Sequence, residues 1–188
     1  MRCGNACSLH PTAVILRAME EMLDIVNELD EVVGQAARRD IHRNNQLHRA
    51  THIILTNSAK QVFLQLRSLT KDTNPGLWDS SAAGHVDAGE SYLDCALREL
   101  EEELGVSVAA SELLEIGRLS PSADNGFEFV RIYAASSDDP ITLEAGEVDD
   151  GSWLTMVELD ARLRDRPQEF AASFTEIWEK IRGWRESR

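Results

Sequence analysis

Four of the five residues from 99 to 103 are glutamates (Glu99, Glu101, Glu102 and Glu103), and Arg98 stands directly before them. On a helix, Glu99, Glu102 and Glu103 lie at i, i+3 and i+4, so their carboxylates gather on one side. Like charges at this spacing repel one another by about a few tenths of a kcal/mol per pair. A hard divalent cation would collect them, because Mg²⁺ takes carboxylate oxygen and keeps room for water and substrate phosphates. Acidic runs more often mark a solvated helix face, but two features here favour a metal. Gly84 and Gly89 bracket a tight loop just ahead of the run, and Arg98 sits beside the acidic cluster.

A helix must position these groups. Ser91 and Asp94 resemble the start of a capping box, and Gly105 suits a C-terminal cap. Between them Leu93, Leu97, Leu100 and Leu104 share one face that should pack on a sheet, away from the glutamates. Elsewhere strands are expected at Met22–Val26 and Glu31–Gly34 as a hairpin. Further strands are expected at Ile53–Leu55, Val62–Leu66 and Phe127–Tyr133, with another ending at Trp153-Leu154. Two more helices are expected at Val157–Leu163 and Glu169–Trp184, the latter with Phe170, Phe174, Ile177 and Ile181 on one stripe. Strands mixed with helices that can cover both faces imply a layered α/β domain.

The chain has 188 residues, 43% of them hydrophobic, which suits one domain with a substantial core. Its 19 basic and 33 acidic side chains give a net charge of −14, a surface that repels long nucleic acid. A small phosphorylated ligand survives that argument, since local cations or a metal override the global field. Three cysteines, Cys3, Cys7 and Cys95, form no paired framework and point to a reducing compartment, with the cytoplasm as the default. Cys3, Cys7 and His10 lack the partner pair of a metal knuckle. No segment approaches the roughly 18 apolar residues that span a bilayer. Residues 1–18 read as an N-terminal extension, poorly ordered, with the compact domain beginning near Met19 and running through 19–188.

The segment GHVDAGESYLDCALRELEEELGV closely resembles the Nudix box, G-x5-E-x7-R-E-U-x-E-E-x-G-U, where U is aliphatic. Gly84, Glu90, Arg98, Glu99, Leu100, Glu102, Glu103, Gly105 and Val106 match every defined position. The resemblance implies an α/β/α sandwich with a mixed β-sheet, and hydrolysis of a nucleoside diphosphate linked to another moiety. It also implies Mg²⁺ or Mn²⁺ held by Glu99, Glu102 and Glu103. Glu90 would serve as a supporting or outer ligand, and Arg98 would hold the glutamates in place by a salt bridge. The base that takes a proton from the attacking water often lies outside the box in such enzymes. Glu147, in the loop Gly146-Glu147-Val148-Asp149, is the candidate here, with Glu103 competing. The expected partner is a small-molecule diphosphate substrate. The family likeness also admits a homodimer, with the hairpin around residues 22–36 as its contact.

A narrower likeness covers most of residues 22–155. Arg67-x3-Lys71-x3-Pro75-Gly76-x-Trp78, Gly84-His85 and Glu147-Val148-x4-Trp153 are similar to isopentenyl-diphosphate isomerases and related hydrolases. That likeness implies that Arg67 and Lys71 grip a diphosphate, as a planar fork and a point charge. His42, His48, His85 and Glu128 match its metal positions, but a second glutamate is replaced by Gly126 and the catalytic cysteine by Ala83. Without the thiol the isomerisation lacks its main acid–base group, so hydrolysis is the expected chemistry. His42 and His48 are then expected to cap or brace the helix before Ile53, and Trp78 either to stack on a base or to seal the core. The competing functions are a prenyl-diphosphate isomerase, disfavoured by Ala83, and a non-catalytic ligand-binding regulator, disfavoured by the intact box glutamates.

Overall fold

The structure is a computed structural model that describes residues 20–186. The expected boundary at Met19, the 1–18 extension and the Cys3/Cys7/His10 group lie outside the described residues. A hairpin of β1 (Met22–Val26) and β2 (Val32–Ala37) forms a small antiparallel sheet, followed by the short helix α1 (Arg38–Arg43). The hairpin turn is closed by Asn27, whose Oδ1 accepts from the backbone of Leu29 at 2.9 Å and Glu31 at 3.1 Å.

The main sheet has seven strands: β3 (His48–Thr56), β4 (Val62–Arg67), β5 (Trp78–Asp79), β6 (Ala82–His85), β7 (Leu114–Leu119), β8 (Glu128–Ser136) and β9 (Val148–Leu154). It is mixed. β3 runs parallel to β8 along its whole length, while the other pairings are antiparallel. Helix α2 (Tyr92–Leu104) covers one face, over a core that includes Ile53, Phe63, Ala82, Leu100 and Tyr133. The opposite face is covered by α3 (Met156–Asp165) and α4 (Phe174–Glu186), over Ile54, Leu64, Val130, Phe174 and Ile177. The result is the expected α/β/α sandwich. Alternation along β3 explains it: Ile53 and Leu55 face α2, and Ile54 faces α4.

Several elements differ from their sequence-based expectations. β3 starts at His48, five residues before Ile53, because buried His48, Thr51 and His52 hide the strand from a hydrophobicity pattern. β5, β6 and β7 were not expected; β5 and β6 are short, and β7 is largely exposed. α4 begins at Phe174, not Glu169, since residues 167–169 form a 3-10 turn and Ala171 N–H donates to Trp78 O at 2.9 Å. Phe170 still reaches the core, from outside the helix. Trp78 packs against that same core, with the Arg162 guanidinium 4.4 Å from its ring centre, so it seals the interior. No described helix is long and apolar enough to cross a membrane.

Candidate active site

The site opens where the sheet forks. β3 and β4 pair only at Thr56 and Val62, then diverge; β6 takes the free edge of β3 and β5 takes that of β4. Two buried serines seal the fork. Ser81 Oγ donates to Phe63 O at 2.6 Å and accepts from Leu55 N at 2.7 Å, joining the diverging strands. Ser80 Oγ lies 2.6 Å from His52 Nδ1, which burial keeps below its ordinary pKa. A cleft of about 880 Å³ lies here. Arg67, Lys71, His85, Arg98, Glu99, Glu102, Glu103 and Glu147 all line it.

Helix α2 is fixed at both ends as its sequence suggests. Ser91 Oγ accepts from Asp94 N at 3.1 Å, and Gly105 caps the C-terminus at φ 65°. Arg98 is the centre of the acidic network. Its Nε and Nη2 donate to the two oxygens of Glu90, both at 2.9 Å, while Nη1 donates to Glu99 at 2.6 Å and Glu102 at 3.1 Å. Nη2 also donates to His85 O at 3.2 Å, tying the helix to the preceding loop. Against the cost of burial, the bonds from Arg98 and the Asp87 backbone hold the Glu90 carboxyl below its ordinary range.

The helix is rotated relative to its expected orientation. Tyr92, Cys95, Ala96, Leu100 and Leu104 form the buried stripe, and Leu93 and Leu97 only flank it. Glu103 therefore points inward, 3% exposed, whereas the Glu102 side chain is 60% exposed. Glu103 Oε2 accepts from Gln65 Nε2 and from Ala83 N, both at 3.0 Å, in the fork between β4 and β6. Burial, then the nearby Glu99 charge, pushes its carboxyl up to about 8. Burial also raises Glu99, against the pull of Arg98.

These residues fit a hard divalent cation. Three acidic side chains, Glu90, Glu99 and Glu102, share one arginine, and Glu103 is buried with no basic partner within bonding distance among the described residues. A buried carboxylate so placed is costly unless a cation compensates it. The all-oxygen donor set is the type Mg²⁺ and Mn²⁺ prefer. Gly84 leaves the space: a Cβ there would lie 1.9 Å from Glu99 Oε1.

The expected diphosphate contacts are both engaged within the protein. Arg67 is buried at the end of β4, donating to Thr73 O at 3.2 Å and Thr73 Oγ1 at 3.3 Å, with Asp79 3.7 Å away. Lys71 Nζ donates to Glu147 Oε2, so two residues 76 positions apart meet at the cleft.

A NUDIX domain model matches residues 46–174. The chain belongs to the Nudix hydrolase family. Among similar proteins, the Nudix hydrolase YfcD of Escherichia coli K12 is 37% identical over 145 residues, covering 77% of this chain and 79% of YfcD. The Nudix hydrolase PA4841 of Pseudomonas aeruginosa is 37% identical over 134 residues, 71% of this chain and 78% of that protein. The crystal structure of DR0079 from Deinococcus radiodurans superposes with a TM-score of 0.73 at 33% identity, covering 86% of this chain and 98% of DR0079.

The Nudix hydrolase carries a second polar cluster in the same cleft, assembled from α1, β3, β6 and β8. His42, His48, His85 and Glu128 each offer a ligand atom, all within 4.8 Å of one another. His42 Nε2 and Glu128 Oε1 each lie 3.2 Å from His85 Nε2. One imidazole proton cannot serve both. His48, fully buried, spends Nδ1 on Gln46 O at 2.9 Å and leaves Nε2 without a hydrogen-bond partner among the described residues, 3.6 Å from Glu128. Bonds of about 2.1 Å to one tetrahedral metal would give ligand separations of roughly 3.4 Å, so three of these contacts fit that spacing. Against its desolvation, hydrogen bonds to Glu128 and Glu21 raise His85 to about 9; burial and the neighbouring His85 lower His42 to about 4.

The expectation that His42 and His48 brace a helix is corrected here. His42 is on α1, His48 opens β3, and both rings converge on His85 instead. Gly126, where the isomerase pattern has a glutamate, adopts φ +73° beside the Glu128 carboxylate, and Phe127 holds the uncommon φ of 66°. The sequence reading did not select Gln65, His52, Asp79 or Glu21. None has a motif, and each becomes visible only through its cleft or fork partner.

Proposed function

We propose that this Nudix hydrolase cleaves a diphosphate linkage in a nucleoside diphosphate derivative or a similar small metabolite, using Mg²⁺ or Mn²⁺. The observation that carries the reading is that Glu99, Glu102 and Glu103 line the same cleft as Arg67 and Lys71. A diphosphate needs both sets, because attack on it is opposed by its own negative charge. When bound, the divalent cation neutralises the phosphoryl oxygens and acidifies a water.

In this reading Glu99, Glu102 and Glu103 hold the cation and Glu90 supports them. Arg98 keeps Glu90, Glu99 and Glu102 in register, while Gln65 and the Ala83 N–H hold Glu103. Arg67 presents its guanidinium to one phosphoryl group, and Lys71 adds a point charge. Glu147 takes the proton from the attacking water, oriented by Lys71. Glu103 is the competing base, since its raised carboxyl pKa lies near operating pH. The test is a panel of nucleoside diphosphates, their sugar and alcohol conjugates, dinucleotides and prenyl diphosphates, assayed with Mg²⁺ by ³¹P NMR. Hydrolysis of at least one class is expected. Isomerisation of a prenyl diphosphate with no hydrolysis anywhere would overturn the reading.

His48 Nε2, without a hydrogen-bond partner among the described residues, favours a second, softer metal position at His42, His48, His85 and Glu128, as the isomerase likeness implies. Three imidazoles and one carboxylate suit Zn²⁺ or Mn²⁺. Ala83 supplies no thiol beside it, so hydrolysis remains the assigned chemistry. Elemental analysis of purified native and His48→Ala protein tests the position: metal retained by the first and lost from the second is expected, and metal in neither rejects it.

A further inference from the structure

The family match begins at residue 46, so the β1–β2 hairpin lies outside it. Yet the hairpin touches the box. β1 runs antiparallel to the loop between Gly84 and Glu90 through a bridge from Leu23 to Asp87, and Ala88 N donates to Met22 O at 2.8 Å. At the next residue the bonding passes to a side chain: Gly89 N donates to Asp24 Oδ2 at 3.0 Å. Asp24 is 4% exposed, and its other oxygen accepts from Gln35 Nε2 at 2.9 Å across the hairpin.

Resting on the metal reading above, we propose that Asp24 is a positioning residue for the metal cage, acting through Gly89, Glu90 and Arg98. The path is continuous. Gly89, at φ +81°, occupies a turn in which Glu90 N donates to Asp87 O at 2.9 Å and Asp87 N donates to Glu90 Oε2 at 3.0 Å. The same Glu90 carboxylate takes both arms of the Arg98 fork, whose remaining N–H groups hold Glu99 and Glu102. Without an acceptor on Gly89 N, the turn loses its only side-chain anchor to the hairpin among the described bonds. The turn is then tied to the hairpin through its backbone contacts with Met22 and Leu23, and a shift of Glu90 within it moves the Arg98 fork that sets Glu99. An ångström of displacement at a metal ligand is costly because such sites demand defined geometry.

What matters is the acceptor at position 24, not its charge. Asn supplies the same oxygen to Gly89, and Gln35 can turn its amide to meet the new Nδ2. Asp24→Ala removes the acceptor outright. Asn27→Ala weakens the same hairpin at its turn without touching the box loop, and so reports what hairpin damage alone does.

The test is Mn²⁺ titration of the metal-free protein, with free ion read by electron paramagnetic resonance. The box site is the binding component that Glu102→Gln removes. For that component Asp24→Ala should bind about tenfold more weakly, while Asp24→Asn and Asn27→Ala stay within about twofold of native. Should Asp24→Ala fail to give a cooperative melt, Gln35→Leu, which releases the other Asp24 oxygen at an exposed position, should weaken the same component about threefold. Native affinity in Asp24→Ala, or in Gln35→Leu where the first does not fold, overturns the proposal, as does equal weakening by Asn27→Ala. If Glu102→Gln removes no Mn²⁺ component, the box-metal reading itself fails and takes this inference with it.

Discussion

Gly84 and Glu99 approach so closely that a β-carbon on the glycine would lie 1.9 Å from Glu99 Oε1 and 2.1 Å from its Cδ. The first residue of the box is thus a glycine for a steric reason. The clash falls on the far end of a side chain, so Gly84→Ala should fold by expelling the Glu99 carboxylate. Turnover at saturating Mg²⁺ should fall by about 10²-fold, with a melting temperature within a few degrees of native. Native-like turnover would show that Glu99 can hold its role from another rotamer.

Glu102 and Glu103 differ in exposure, and their variants should differ accordingly. Glu102→Gln should lower turnover by ~10²-fold or more without shifting the melt, since its side chain is 60% exposed. Glu103→Gln should lower turnover as far, and its melt should change because Gln65 and Ala83 both donate to that carboxylate. Near-normal turnover in both variants would remove the metal assignment.

Glu103 also gives the metal-free protein a pH dependence. Its folded pKa of about 8 lies above the unfolded value of 4.5, so between those values the native state binds the extra proton. Stability contributed by the protonated group is therefore complete below about pH 4.5 and is lost as pH rises through about 8. In EDTA, the native melt should fall relative to Glu103→Gln by something of the order of 5 °C between pH 5 and 8.5. A native-minus-variant difference that stays flat over that range would contradict the burial argument.

The Lys71–Glu147 contact allows a kinetic separation of roles. Glu147→Gln should lower kcat by about 10²-fold with little change in KM. Lys71→Ala should raise KM by roughly tenfold and lower kcat as well, because Glu147 loses its partner. If kcat of Glu147→Gln stays within about twofold of native, the proton passes to Glu103 instead.

The sequence by itself determined the family, the box helix and its two caps. Those are properties of one continuous segment: Ser91, Arg98, Glu102 and Gly105 stand in fixed relation because a helix repeats every 3.6 residues. The layered class followed from strands interspersed with helices that can cover both faces of a sheet. Tertiary structure decided what depends on register and rotation. Whether Glu103 faces water or the fork turns on how far α2 rolls on the sheet, and small Ala96 and Cys95 sit in the buried stripe where leucines were expected. His48 meets Glu128 because β3 and β8 pair in parallel at that register, and His85 arrives because β6 pairs Ala50 with His85. A one-residue slip would turn each of those side chains to the other face. Asp24 reaches Gly89 across 65 residues of chain, a contact no local pattern encodes because it exists only once the hairpin docks.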